Sequence, residues 1–302
     1  MFRKLSQIGE FGLIEEIRKR QSAAKDVIKG IGDDTAVVSF TQNKYLLLTT
    51  DMLMEDVHFT RSMSAQEIGH KALACNISDV AAMGGRAKYA LVSLGVSAQL
   101  DVKFVTNIYR GINKLAQRFD VQIVGGDTVK SSKIVINIAL TGEVEKKNLV
   151  ARSGAKAGDQ IFVTGKLGNS FQSGHHLRFM PRQQEAQLIV KYLKPSAMID
   201  ISDGLAADLG HIMKASKVGA ILEEKKIPLR VNAKIKQALY EGEDFELLFT
   251  VPKRNLTTTA LRFAQKNQFQ LVGQICNQEN GLMLLDSRQQ HTKMPLKGFK
   301  HF

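Results

Sequence analysis

Seven aspartates stand where a chain seldom places charge: Asp33 and Asp34 in GIGDDTAVV, Asp51 in LLLTTDML, Asp79 in ACNISDVAAMGG, Asp127 in IVGGDT, Asp200 and Asp203 in IDISDGLAADLGHI. Nearly all end an apolar run or adjoin glycine. A carboxylate taken out of water costs several kcal/mol unless it is paired or sits on a metal. Some have ordinary alternatives. Gly-Asp-Asp is good turn chemistry, and Asp51 or Asp203 could cap a helix. Asp79 fits no such role: it falls within an apolar helical pattern three residues after Asn76, so both side chains share one helix face. Independent caps would not all fall in such company. Together with a formal net charge of +13, the set points to hard cations, Mg²⁺ or Mn²⁺, bridging carboxylates to substrate phosphates. Scattered Lys and Arg could take the remaining phosphate charge.

Other chemistries find less support. GKLGNS at 165–170 has Walker A residues in the wrong order, and no HRD or DFG signature occurs. Cys75 and Cys276 form no CxxC, so no zinc or disulfide framework is expected, and Cys75 reads as a small core residue. His175–His176 lacks metal-ligand partners at a recognisable spacing. Basic residues come as short clusters, RKR at 18–20 and KK at 146–147 and 225–226, with no basic tail and no Trp. Nucleic acid is therefore not the expected partner. No run approaches the ~20 apolar residues of a membrane span. The opening MFRKLSQIGEFGLIEEI reads as the start of a folded helix, not a signal peptide, so a cytoplasmic protein is expected.

These residues need a frame to position them. A chain of 302 residues with 44% hydrophobic and 24% charged content suits two globular domains. Strand-length apolar runs alternate with helical patterns, which predicts α/β or α+β architecture. In the first half, YLLLTT (45–50) reads as a buried strand ending at Asp51, and 66–83 as a helix with an apolar stripe of Leu73, Ile77, Val80 and Ala81. A helix at 101–119 leads to strand VQIV and then GGD, and KIVINIALTGEV alternates as a long strand. The texture changes between 145 and 158, giving domains of 1–150 and 151–302. The second half offers QIFVTG, the IDISDGLAADLGHI strand-turn-helix, GAILEE, FELLFTVP, a helix at 255–267 and FQLVGQI.

In this order and over nearly the whole chain, GIGDDTAVV, TTDMLMEDVHF, KALACNISDVAAMGG, VGGDT, RSGAKAGDQIFVTGKLG, IDISDGLAADLGHI, GEDFELLFTVP and LKGFKHF resemble the thiamine-monophosphate kinase family. That family belongs to a superfamily with aminoimidazole-ribonucleotide synthetase and selenophosphate synthetase. The resemblance implies two α/β domains with mixed sheets flanked by helices, a homodimer formed through the first domains, and transfer of the ATP γ-phosphoryl group to thiamine monophosphate. It implies Mg²⁺ on Asp34, Thr50, Asp51, Asp79, Asp127 and Asp200 with help from Thr49, and a further Mg²⁺ on Asp203. Tyr109, Gly126, Asp127, Arg152 and Ser202 would surround ATP, and His58, Glu243 and Phe299 would contact the acceptor. Departures from the family pattern are Lys130, Asn169, Glu241 and a shortened segment near 170–195. A sibling enzyme with another acceptor is the nearest alternative; selenide chemistry would need a reactive Cys near the N-terminus, and none precedes Cys75.

Overall fold

The computed structural model describes residues 4–22 and 24–299. The first half comprises α1 (Leu5–Arg18), β1 (Val27–Lys29), β2 (Ala36–Ser39), β3 (Lys44–Met54), α2 (Ala65–Ala82), β4 (Arg86–Val96), α3 (Val102–Phe119), β5 (Gln122–Lys130) and β6 (Val135–Glu145). Its six strands form one mixed sheet in the order β1-β2-β3-β6-β4-β5, with β4 and β5 parallel and joined through α3. The alternation read in KIVINIALTGEV puts Ile136, Ile138 and Leu140 of β6 into a core with Leu73 and Ile77 of α2 and Ile112 and Leu115 of α3. Asp101 caps α3 by accepting from the Lys103 N–H at 2.8 Å.

The second half comprises β7 (Gln160–Val163), α4 (Gln183–Leu193), β8 (Ala197–Asp200), α5 (Leu205–Ser216), β9 (Gly219–Glu223), α6 (Ile235–Tyr240), β10 (Leu247–Val251), α7 (Thr258–Lys266), β11 (Gln270–Cys276), β12 (Leu282–Leu285) and β13 (His291–Lys293). Its seven strands are ordered β13-β12-β9-β11-β7-β10-β8. The result is the expected α/β, α+β plan of two mixed sheets flanked by helices. Among the described residues, no helix is long and apolar enough to cross a membrane.

Three expectations differ from the structure. Asp51 does not end its strand, because β3 pairs with β6 from Lys44↔Glu145 through Met54↔Val135 and the ladder carries the chain past it. Asp127 likewise lies within β5, since the parallel pairing with β4 continues from Ser93↔Asp127 to Val96↔Lys130. And α2 has no single apolar stripe. It is buried on nearly every side, with Ala81 and Ala82 packed into the second half's core beside Phe162 and Phe249. A helix enclosed in this way has no polar face to show. It joins the two halves.

Candidate active site

α2 is also where the aspartates meet. Asp34 comes from the turn before β2, Asp79 from within α2 and Asp200 from the last residue of β8, and each offers a carboxylate oxygen within 4.8 Å of the others. Neighbours hold these carboxylates in place. Thr49 donates its hydroxyl to Asp79 at 2.5 Å, Ser78 donates to Asp200 at 2.6 Å, and Arg152 Nη2 donates to Asp34 Oδ1 at 2.8 Å. Asn76 accepts the Asp51 N–H at 3.1 Å and so locks β3 against α2, the shared face that its spacing from Asp79 predicts.

The charges remain badly matched. Burial, with the neighbouring Asp51, Asp200 and Asp34, pushes the Asp79 carboxyl well above the usual carboxylate range. Burial and Asp34 push Asp200 up to about 7, and burial and Glu243 push Asp51 up to about 6. Arg152 is half-buried, and Asp34 and Asp33 hold it firmly charged. Asp34 Oδ2 is buried without a hydrogen-bond partner. Clustered oxygen ligands, an excess of negative charge and an orphaned carboxylate oxygen fit a hard divalent cation such as Mg²⁺.

A cavity of about 310 Å³ opens beside this cluster, lined by Asp51, Asp79, Arg152, Asp200, Ser202 and Asp203, and also by His58, Glu243 and Phe299. The turn after β8 shapes its wall. Gly204 takes the N-cap position of α5 at φ +112°, where a side chain would be strained, so Asp203 does not cap that helix. The buried Asp208 does the satisfying instead, accepting from the N–H groups of Asp203 and Gly204 at 3.1 and 3.0 Å. Asp203, Asp208 and His211 form a second group with ligand atoms within 4.8 Å of one another.

The loop carrying Glu243 presses on the same turn. A Cβ on Gly242 would lie 2.0 Å from the Ser202 carbonyl oxygen, so only glycine permits the approach. Glu243 donates its N–H to Ser202 at 2.7 Å and Phe245 donates to Ile201 at 2.8 Å. Both adopt left-handed backbone, with φ of 70° and 50°. Such conformations cost of order 1–3 kcal/mol each and persist where surrounding contacts over-determine them. The Phe299 N–H donates to the Asp203 carbonyl at 3.0 Å, bringing that ring to the cavity.

Four sequence-predicted residues stand apart from this cavity in the single chain. Thr50 points to the sheet's uncovered side and donates to Asn137. Asp127 opposes Ser93, which opposes Asn137, which opposes Met52. That is three strand spacings, about 14 Å, from β3. Gly126 is its neighbour in β5, and Tyr109 packs half-buried on α3 against the first core. Sequence reasoning missed Ser78, Asp208 and Lys71. A signal existed for each, because Ser78 and Lys71 lie in the NISD-bearing helix and Asp208 interrupts the apolar face of Leu205 and Leu209. His175–His176 belongs to no metal-ligand group among the described residues. A larger groove, about 860 Å³, lies between the ends of β4 and β6 and α4, lined by Lys44, Arg86, Lys88 and Lys191, and holds none of the aspartates.

The chain is similar over nearly its whole length to members of one family. Residues 32–144 match the AIR synthase related protein N-terminal domain, and residues 141–284 match the corresponding C-terminal domain. The chain is 38% identical to the thiamine-monophosphate kinase of Aquifex aeolicus (strain VF5), covering 99% of this chain and 100% of that one. It is 33% identical to the thiamine-monophosphate kinase of Bacillus subtilis (strain 168), with 97% and 99% covered. A solved structure described as AaThiL complexed with AMPPCP and TMP superposes with a TM-score of 0.86 at 35% identity, over 100% of both chains.

Proposed function

The chain belongs to the thiamine-monophosphate kinase family, and from that premise we infer that it transfers the γ-phosphoryl group of ATP to thiamine monophosphate, forming thiamine diphosphate in the last step of that cofactor's synthesis. The observation that carries the reading is the convergence of Asp34, Asp79 and Asp200, drawn from both halves of the chain, beside a cavity edged by Arg152 and Glu243.

The acceptor is a phosphate monoester with a second pKa near 6 by analogy with phosphorylated side chains, so it is already ionised at neutral pH. No general base is needed. The difficulty is electrostatic, since a dianion must approach the ATP γ-phosphate. In this reading Asp34, Asp51, Asp79 and Asp200 hold Mg²⁺ with Thr49 contributing, and Asp203 holds a further ion. Thr50 and Asp127, which the resemblance also assigns to Mg²⁺, lie on the uncovered side of the first sheet and would contribute only across the dimer, to a site shared with a second copy. Bound Mg²⁺ supplies positive charge that screens phosphate repulsion and stabilises the transferring group. Arg152 adds a fixed cation on the ATP side beside Ser202. Tyr109, Gly126 and Asp127, also assigned to the nucleotide, stand apart from this cavity in the single chain and would serve a nucleotide shared with a second copy. Glu243 offers a carboxylate to the cationic thiazolium, the Phe299 ring a π-face, and His58 a polar contact.

Three further assignments complete the reading. The domains are taken as 1–150 and 151–302. The protein works in the cytoplasm. It is a homodimer through the first sheet, whose outer side exposes Leu48, Met52, Met54, Tyr89 and Leu91; an exposed apolar face of this kind favours a partner surface. The test is direct. Purified protein with ATP, Mg²⁺ and thiamine monophosphate should yield thiamine diphosphate by chromatography, and should not when Mg²⁺ is omitted or free thiamine replaces the monophosphate. ATP binding without product would move the assignment to another acceptor.

A further inference from the structure

We propose that Lys71 is a positioning residue for the phosphate acceptor: one buried ammonium fixes Glu243 and His58 at a set distance from the carboxylate cluster. The inference rests on the reading that those two residues contact thiamine monophosphate.

Lys71 is fully buried in α2. Lysine is almost never so placed unless its charge is matched. The Lys71 ammonium donates to the His58 carbonyl oxygen at 3.0 Å and to His176 Nδ1 at 3.2 Å, and forms an ion pair with Glu243 Oε2 at 2.5 Å. Each comes from a different segment: the loop after β3, the turn at 175–176 and the strained loop before β10. Since lysine can only donate, His176 must accept at Nδ1 as a neutral ring. Burial first, then the Lys71 charge, lowers its pKa to about 3, which agrees. Phe171 stacks on that ring at 4.3 Å between centroids and closes the network on its far side.

The consequence for Glu243 is directional. Its Oε2 is sealed from solvent against Lys71. The side chain still lines the cavity and keeps 22% of its surface exposed, so the remaining edge of the carboxylate is what the cavity receives. Removing Lys71 would free the side chain and leave its charge beside Asp51 without the cation between them.

The helix then acts as a ruler. Lys71, Cys75 and Asp79 follow one another at intervals of four, so they share a face. Eight residues of helix span about 12 Å. The acceptor contacts at one end and a carboxylate of the cluster at the other are carried by one rigid, enclosed element. Phosphoryl transfer depends on such fixed separation, because small displacements of the reacting groups are costly.

The test uses Lys71→Met, Glu243→Gln and the paired variant Lys71→Met/Glu243→Gln in the full-length protein, with KM for each substrate, kcat and thermal unfolding measured separately. Lys71→Met is expected to raise KM for thiamine monophosphate at least about tenfold while KM for ATP stays within about twofold. The paired variant, in which neither charge is left alone, should recover thermal stability, and its acceptor KM should match that of Glu243→Gln alone within about twofold, because Lys71 acts through that carboxylate. It also carries the test should Lys71→Met not fold. Equal loss toward both substrates, or an unchanged acceptor KM in a folded variant, would overturn the proposal. Absence of thiamine diphosphate with the unaltered protein would instead count against the kinase reading itself.

Discussion

The two sheets solve burial differently. In the second, β8 and β10 are buried along their whole lengths and β7 at every residue but Gln160, and successive residues pass to opposite cores. Ile161, Val163, Ile199 and Leu248 pack with α5, whereas Phe162, Met198, Leu247 and Phe249 pack with α4 and α7. Both faces are covered, so the strands read as unbroken apolar runs. The first sheet is covered on one side only. Its strands alternate, and Leu48, Met52, Tyr89 and Leu91 stay exposed opposite Leu47, Leu53, Ala90 and Val92. The doubly covered sheet supplies a rigid strand end at Asp200. The singly covered sheet supplies Asp51 and an uncovered face suited to a second copy.

That contrast can be broken most severely by placing a charge on each sheet. Phe249→Asp should prevent folding, as a buried unpaired carboxylate adds several kcal/mol to the lost packing. Leu91→Asp should leave a folded protein that elutes as a monomer in size-exclusion chromatography with light scattering. Similar behaviour of the two would erase the distinction. Next in size is Asp79→Asn, expected to lower turnover at least about a hundredfold. The same change removes a buried like charge, so the metal-free protein should melt no lower than the parent. Loss of stability on that scale would mark Asp79 as structural.

A third prediction concerns pH. The Asp79, Asp200 and Asp51 carboxyls have raised folded-state pKa values, with Asp200 at about 7 and Asp51 at about 6. Such groups stabilise the metal-free fold fully only below the ordinary carboxylate pKa of about 4, and the contribution is lost as pH rises through about 6 to 7. A bound cation competes with those protons. The rise in Tm on adding Mg²⁺ should therefore be larger at about pH 8 than at about pH 6, and calorimetry should detect proton release. A pH-independent Mg²⁺ effect would place the ion elsewhere. The smallest effect is expected for Lys44→Ala, which breaks an exposed 2.6 Å pair with Glu143 on the first sheet. It should change stability by less than about 1 kcal/mol and leave turnover alone.

Much of this was legible in the sequence for a physical reason. Periodicity reports burial, so α2, α3, β6 and β10 fall close to where their apolar patterns place them. Strand ends were less legible. β3 and β5 run past Asp51 and Asp127 because their partners, distant in sequence, continue the ladders. In the site, charge in apolar company singled out Asp34, Asp79 and Asp200 before any fold was known. Lys71 and Asp208 escaped notice because a single lysine or aspartate on an apolar helix face does not name its partner. Their partners, Glu243 for one and the turn at 203–204 for the other, become neighbours only on folding. The placement of Thr50 and Asp127 on the uncovered side of the first sheet was also beyond reach, since it depends on register.

The central claim is that two halves with different architectures build one metal site between them. Crystals grown with ATP analogue and Mn²⁺ in place of Mg²⁺, measured for anomalous scattering, test it most directly. The account predicts an anomalous peak at coordination distance from both Asp79 of the first half and Asp200 of the second. Peaks confined to the carboxylates of one half, or absent from the Asp34–Asp79–Asp200 cluster altogether, would contradict it.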